Sequence, residues 1–142
     1  MLSRLNASLR SLECFGDLPP LFFRLMLAYG FFTPALNKVT HFSNVVTWFE
    51  GMNFILPTLS AGLAATAEAL GVVLLFLGLG TRLIALPLMF VMLVAIFAVH
   101  WPNGFSAVAN GIEVPLYYFL MLFSLLIGGP GRYSLDHSMR GR

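Results

Sequence analysis

Few residues in this 142-residue chain can do chemistry, because only 10% of it is charged and 58% is hydrophobic. Glu68 comes first among them. It stands near the middle of TLSAGLAATAEALGVVLLFLGLG, residues 58–80, an apolar run long enough to cross a bilayer, which takes about 20 such residues. An ionisable side chain inside such a run is rare and costly, so it marks either a proton-handling or head-group-binding carboxylate or a neutral acid that ties helices together. Tyr29, Tyr117 and Tyr118 fall at similar depth in neighbouring apolar runs, and a phenol from one of them is expected to hydrogen-bond the acid. Arg24 matches Glu68 in sign but not in depth. It starts a turn inside one edge of its run, whereas Glu68 lies about 18 Å from that edge at 1.5 Å per residue. Arg24 therefore reads as an anchor at the membrane interface, and Lys38, at the other end of the same run, as a cation that snorkels to the surface.

A second group gathers toward the opposite edge: His41, Trp48, His100, Asn103 and Glu113, with Lys38. Two histidines and a carboxylate could bind a metal or polarise a quinone carbonyl. No pair has the i, i+4 spacing of a helical metal site, and both histidines lie too near the outer ends of their spans for a buried bis-His haem, so neither metal nor haem is expected. Met26, Met89, Met92 and Met121 read as lipid-facing or packing residues. Cys14 is the single cysteine and cannot form an internal disulfide or a Cys-x-x-Cys pair. No basic patch interleaved with aromatics suggests nucleic acid.

The elements that must hold these residues are helical spans. The mean hydropathy is +0.86, and the charged fraction is less than half the roughly 25% of a soluble domain. The fold class expected is all-α: an integral membrane four-helix bundle, with spans near 20–39, 58–80, 82–101 and 112–129 inside a membrane domain of residues 18–137. Residues 1–17 place Leu2, Leu5, Leu9 and Leu12 at helical spacing with Arg4 and Arg10 off the stripe, the pattern of an amphipathic helix lying on the cytoplasmic lipid surface. No removable signal peptide is read there. Phe42, Val45, Val46 and Phe49 mark a short interfacial helix in the first outer loop. Residues 138–142 form a polar tail.

Orientation follows from the basic residues. Arg4, Arg10, Arg24, Arg82, Arg132, Arg140 and Arg142 lie on one side and only Lys38 on the other. By the positive-inside rule both termini are cytoplasmic, and the chain is expected in a bacterial inner membrane as a multi-pass protein.

Several stretches together resemble the DoxX family of four-helix bacterial membrane proteins. They are an arginine in the first span, Asn37-Lys38 followed by the aromatic Phe42, the loop reaching Leu56-Pro57, the run EALGVVLLFLGLGTR over residues 68–82, a histidine near the end of span three, and the closing GPGRYSLD at 129–136. The match covers roughly residues 21–137, and the glutamate-to-Thr-Arg run and the GPG-x-Y-S-x-D ending are its specific parts. The run at 68–82 has a slightly altered spacing, and residues 1–17 lie outside the core match.

The resemblance implies association with oxidoreductase assemblies, with redox-stress complexes, or with operons for copper-binding peptides, whose DoxX-like members are closest in type. Carried onto this chain, it points to Arg24, Lys38, Glu68, Arg82 and His100. Arg24, Lys38 and Arg82 are expected to hold a cofactor's head group. Glu68, Tyr29, Tyr118 and His100 are the catalytic candidates. Two functions are expected in competition. One is a redox-linked membrane subunit of an oxidoreductase, working with a quinone or other lipophilic carrier and a partner protein. The other is a non-catalytic membrane anchor or assembly factor, serving metal or peptide handling. The lipid bilayer is a partner in either case, together with a second protein or a second copy of the chain.

Overall fold

The computed structural model describes residues 15–140, which are helical with no strand among them. The amphipathic helix expected over residues 1–17 falls almost wholly outside them. Helix α1, Leu18–Thr40, opens on Pro19 and Pro20 in its first turn, where a missing N–H costs nothing. A single residue, His41, separates it from α2, Phe42–Gly51, the short helix of the first loop. Helix α3, Pro57–Leu77, again starts on proline.

A tight turn joins α3 to α4, Thr81–Val94. Gly78 adopts the left-handed conformation at φ 68°. Its N–H donates to the Leu75 carbonyl, and the Leu79 N–H donates to that of Leu74, the paired bonds of a Schellman close. Helix α4 runs on through a π-helical turn, Ala95–His100, and a 3-10 turn, Trp101–Asn103. After a loop containing the 3-10 turn Ala107–Ala109 comes α5, Glu113–Gly128, and the described chain closes with α6, Leu135–Arg140.

Four long helices share one core. Leu27, Ala28 and Phe31 of α1, Leu75 of α3, Ile84, Ala85, Leu88 and Met92 of α4, and Leu122 and Leu125 of α5 form a single buried cluster. Helix α1 packs on α3 and α5, and α4 packs on the same two, so the helices make a ring with α2 lying on α3. One end of the ring carries α2; the other carries α6.

The exterior is as apolar as the interior. Phe22, Met26 and Phe32 of α1, Leu63, Val73 and Phe76 of α3, Leu83, Phe90 and Phe97 of α4, and Leu120, Phe123 and Ile127 of α5 all face outward. Buried residues in the same helices include Arg24 and Glu68. Water-facing helices show the reverse polarity, with a polar face outside and an apolar stripe within. Two helices, Pro57–Leu77 and Thr81–Asn103, are long and apolar enough to cross a membrane.

Candidate functional site

Buried positions on α1 include Arg24, Ala28, Phe31 and Ala35, at steps of four, three and four. The next step of three lands on Lys38, whose position on this stripe turns it inward. On α3 the buried face is Ala61, Ala65, Glu68, Gly71 and Leu75, whose small residues allow close helix packing and carry the glutamate into the interior. The two helices run antiparallel: Lys38 meets Glu68, while Arg24, nearer the start of α1, lies against Gly78 beyond the end of α3.

That register decides the pairing. Side chains on a helix lean toward its N-terminus. In an antiparallel pair Lys38 therefore leans down α1 and Glu68 leans up α3, and they close on each other. Lys38 Nζ donates to Glu68 Oε2 at 2.8 Å and to Oε1 at 3.1 Å. The carboxylate is almost fully enclosed, with its side chain 3% exposed, and the lysine is 19% exposed. Lys38 borders an open hollow between α1 and α2 lined also by Thr33, Pro34, Asn37, Val45 and Trp48. An ammonium has three N–H donors, so the lysine keeps donor capacity for the hollow after serving both oxygens of Glu68.

The partner of Glu68 is thus neither a tyrosine nor Arg24, and Lys38 does not snorkel. Tyr29 is 82% exposed, because it stands one residue past Ala28 and so about 100° around the helix from the buried stripe. The Tyr117 hydroxyl donates to Glu113 Oε1 at 3.1 Å, on its own helix. Tyr118 packs edge-on against Phe31, with ring centroids 5.5 Å apart, and its ring fills the space over Gly30 where any side chain would clash. That position is two turns of α1 away from Lys38 and toward the α6 end.

The other expected site residues are dispersed. Arg24 is no surface anchor: it is 1% exposed, its Nη2 donates to the Tyr133 carbonyl at 2.6 Å, and its Nε and Nη1 have no partner among the described residues. Arg82, exposed at the α6 end, donates from Nη2 to the Ile127 carbonyl at 3.1 Å and ties the start of α4 to the end of α5. His100 lies at the α2 end, where Nδ1–H donates to the Asn110 carbonyl at 2.7 Å, an oxygen that also accepts from Asn103 Nδ2 at 3.1 Å. The bond to a carbonyl requires the proton on Nδ1. His41 pairs locally with the Thr40 hydroxyl. No group of three histidine, cysteine or acidic side chains able to hold a metal occurs among the described residues.

The two stretches richest in glycine meet at the α6 end. The Asp136 carboxylate accepts the N–H of Gly80 at 2.8 Å and of Thr81 at 3.1 Å, and the Gly78 carbonyl accepts the Asp136 N–H at 3.0 Å. Asp17, just before α1, accepts the Arg132 N–H at 3.1 Å and faces its Nε at 3.4 Å. Residues 129–136 are thus a strap drawn across the ends of three helices. Its role was not foreseen from sequence, although the aspartate four residues after a Gly-Arg turn was a visible cap waiting for a helix.

The DoxX family model matches residues 20–101, which takes in Arg24, Lys38, Glu68, Arg82 and His100. Two proteins of Haemophilus influenzae, both described as uncharacterized, are similar along most of their length. One is 32% identical over 124 residues, covering 82% of this chain and 80% of the relative. The other is 34% identical over 119 residues, covering 82% and 87%. No solved structure matches. With more than half of its residues matched by one family, the chain belongs to the DoxX family.

Proposed function

We propose that this chain is a multi-pass protein of the bacterial inner membrane, in which α1, α3, α4 and α5 cross the bilayer as a four-helix bundle with both termini cytoplasmic. In it the Lys38–Glu68 pair engages the polar head of a lipophilic carrier, a quinone or similar molecule, beside a partner protein that holds the electron donor. The observation that carries the reading is the ion pair itself. A carboxylate and an ammonium sit inside helices whose outer faces are apolar, and the ammonium borders an open hollow with Asn37 and Trp48. Residues that cost this much to bury are kept in membrane proteins where they handle ions, protons or polar substrates.

The donor set fits a carbonyl-bearing head group. Lys38 keeps N–H capacity beyond Glu68, the exposed Asn37 amide adds a donor, and the Trp48 ring offers a flat apolar wall. A quinone carries electrons and protons together through lipid. Lys38 would orient its carbonyl oxygen, and Glu68 would set the position and charge of Lys38 and accept a proton at its carboxylate. His100, with Nδ1 committed to the Asn110 carbonyl, would leave Nε2 for proton exchange at the α2 end. Arg24 and Arg82 would hold the helices rather than the carrier.

The test is mass spectrometry of small lipophilic molecules retained by protein purified in a mild detergent, with titration of a short-chain quinone. Wild type retains or binds the quinone, and Lys38→Met loses it. A wild-type protein that neither retains nor binds a quinone sinks the reading.

One observation favours the second reading, a non-catalytic anchor or assembly factor. Both Glu68 oxygens are taken up by Lys38, and the Asp136 carboxylate and Arg24 Nη2 also go to contacts between segments. On that reading Glu68→Gln and Lys38→Met lower stability or recovery of a partner protein, in metal or peptide handling, and leave the bound lipophiles unchanged.

A further inference from the structure

The connection between α4 and α5 turns much of its backbone in on itself, more than water requires. The N–H groups of Gly104, Ala109, Asn110 and Gly111 turn back within residues 101–107, and those of Ile112 and Glu113 cross the loop to the carbonyls of Gly104 and Phe105. The Ala107 N–H goes to Glu113 Oε2 at 2.8 Å. Yet residues 101–110 are all exposed, with Val108 100% exposed and the Phe105 and Trp101 rings beside it open as well. No lysine, arginine, aspartate or glutamate occurs from Leu83 to Ile112. Exposed loop backbone in water is satisfied by solvent; in hydrocarbon every backbone polar group must find a partner within the protein.

Helix lengths show where such a loop would sit. Arg82 bonds the Ile127 carbonyl, so α4 and α5 are level at the α6 end. From there the α4 segment runs 23 residues to Asn103 and α5 only 16. At 1.5 Å per residue these are about 34 Å and about 24 Å, against a hydrocarbon thickness of roughly 30 Å. Helix α5 alone falls short of the far boundary, and the loop descends over its end to fill the gap.

We infer that residues 104–112 are an uncharged cap seated in the outer hydrocarbon–headgroup boundary of the bilayer, with Phe105 and Val108 facing lipid and the half-buried Glu113 carboxylate hydrogen-bonded by the Ala107 N–H and the Tyr117 hydroxyl. The inference rests on the membrane reading above and adds a lipid contact at the bundle's outer end. Aromatic and aliphatic tips without charge suit that depth, the loop's internal hydrogen bonds lower the cost of placing it there, and the N–H groups of Phe105, Ser106 and Val108, which have no partner in the loop, are left for the headgroups.

The experiment uses full-length protein in phosphatidylcholine–phosphatidylglycerol vesicles with Cys14→Ser as background and a nitroxide on Val108→Cys, Phe90→Cys or Ser138→Cys. Collision with dissolved oxygen, which partitions into lipid, is compared with collision with a water-soluble nickel chelate. The oxygen-to-nickel ratio at 108 and at 90 is expected to exceed that at 138 severalfold. A ratio at 108 equal to that at 138, with 90 still in lipid, overturns the cap and leaves the membrane reading standing. A low ratio at 90 overturns both. A label at 108 shielded from both reagents means that a second copy of the chain covers the loop, and also overturns the lipid contact.

Discussion

Asp136 caps a helix 55 residues away: its carboxylate accepts the N–H of Thr81, the first residue of α4, and of Gly80 before it. Glycine at the cap position has no side chain to satisfy those donors, and the orphan N–H groups at a helix start are costly when left dry. Asp136→Ala is expected to cost about 1–2 kcal/mol, read as a fall in Tm of roughly 3–8 °C, whereas Asp136→Asn, which keeps one acceptor oxygen and turns an amide donor toward the other N–H, is expected to lose part of that stability. Thermal unfolding in detergent compares the two, and an asparagine variant as stable as wild type would show that one acceptor oxygen is enough at this turn.

Lys38 and Glu68 are expected to behave as one unit. Removing a single partner from a buried pair leaves an unpaired charge and costs about 3–5 kcal/mol. Lys38→Met should therefore destabilise strongly. Adding Glu68→Gln to Lys38→Met should recover part of the loss, because it removes the stranded carboxylate. Unfolding of both single variants and the double variant measures the coupling, and additive losses would mean that the pair does not form.

The turn between α3 and α4 separates backbone strain from crowding. Gly78 and Gly80 both have positive φ, but a Cβ at Gly78 would run into the Arg24 guanidinium while one at Gly80 meets open space. Gly80→Ala should cost about 1–2 kcal/mol from the left-handed backbone alone. Gly78→Ala should cost clearly more, since Arg24 must move. Tm values for the two variants in the same detergent give the comparison, and equal losses would remove Arg24 from the account.

Arg24 holds the strap at residues 129–136 through the Tyr133 carbonyl. A hydrogen bond from a charged donor is worth about 1.5–3 kcal/mol, so Arg24→Met should raise the population of loosened strap roughly 10-fold or more. Limited trypsin digestion reads this at Arg132, which is exposed in the strap. Faster cleavage there, with cleavage elsewhere unchanged, is the expected result; an unchanged rate would mean that Asp136 and Asp17 hold the strap without Arg24.

Much of the fold is legible from local pattern, because helical periodicity needs only near neighbours. The apolar runs mark the four long helices, prolines mark the starts of α1 and α3, and the spacing of Ala61, Ala65, Glu68 and Leu75 marks the face that carries the glutamate inward. The same arithmetic on α1, running from Arg24 through Ala28, Phe31 and Ala35 to Lys38, placed the lysine on the buried stripe, a signal hidden by the expectation that a terminal lysine snorkels. The family resemblance rests on residues 68–82 and 129–136, and both stretches are plain in the sequence.

What each polar group meets was decided by the tertiary structure. Depth along a helix ranks candidate partners but cannot choose among them, because register and facing depend on how far α2 carries the chain before α3 turns back. That antiparallel register, with side chains leaning toward each helix's own N-terminus, gave Glu68 to Lys38 and left Tyr29 facing outward. The closing strap is the same case. Sequence shows an aspartate 56 residues from the last glycine of the turn, and only the packing of α4 beside α5 brings the carboxylate over the two N–H groups it caps.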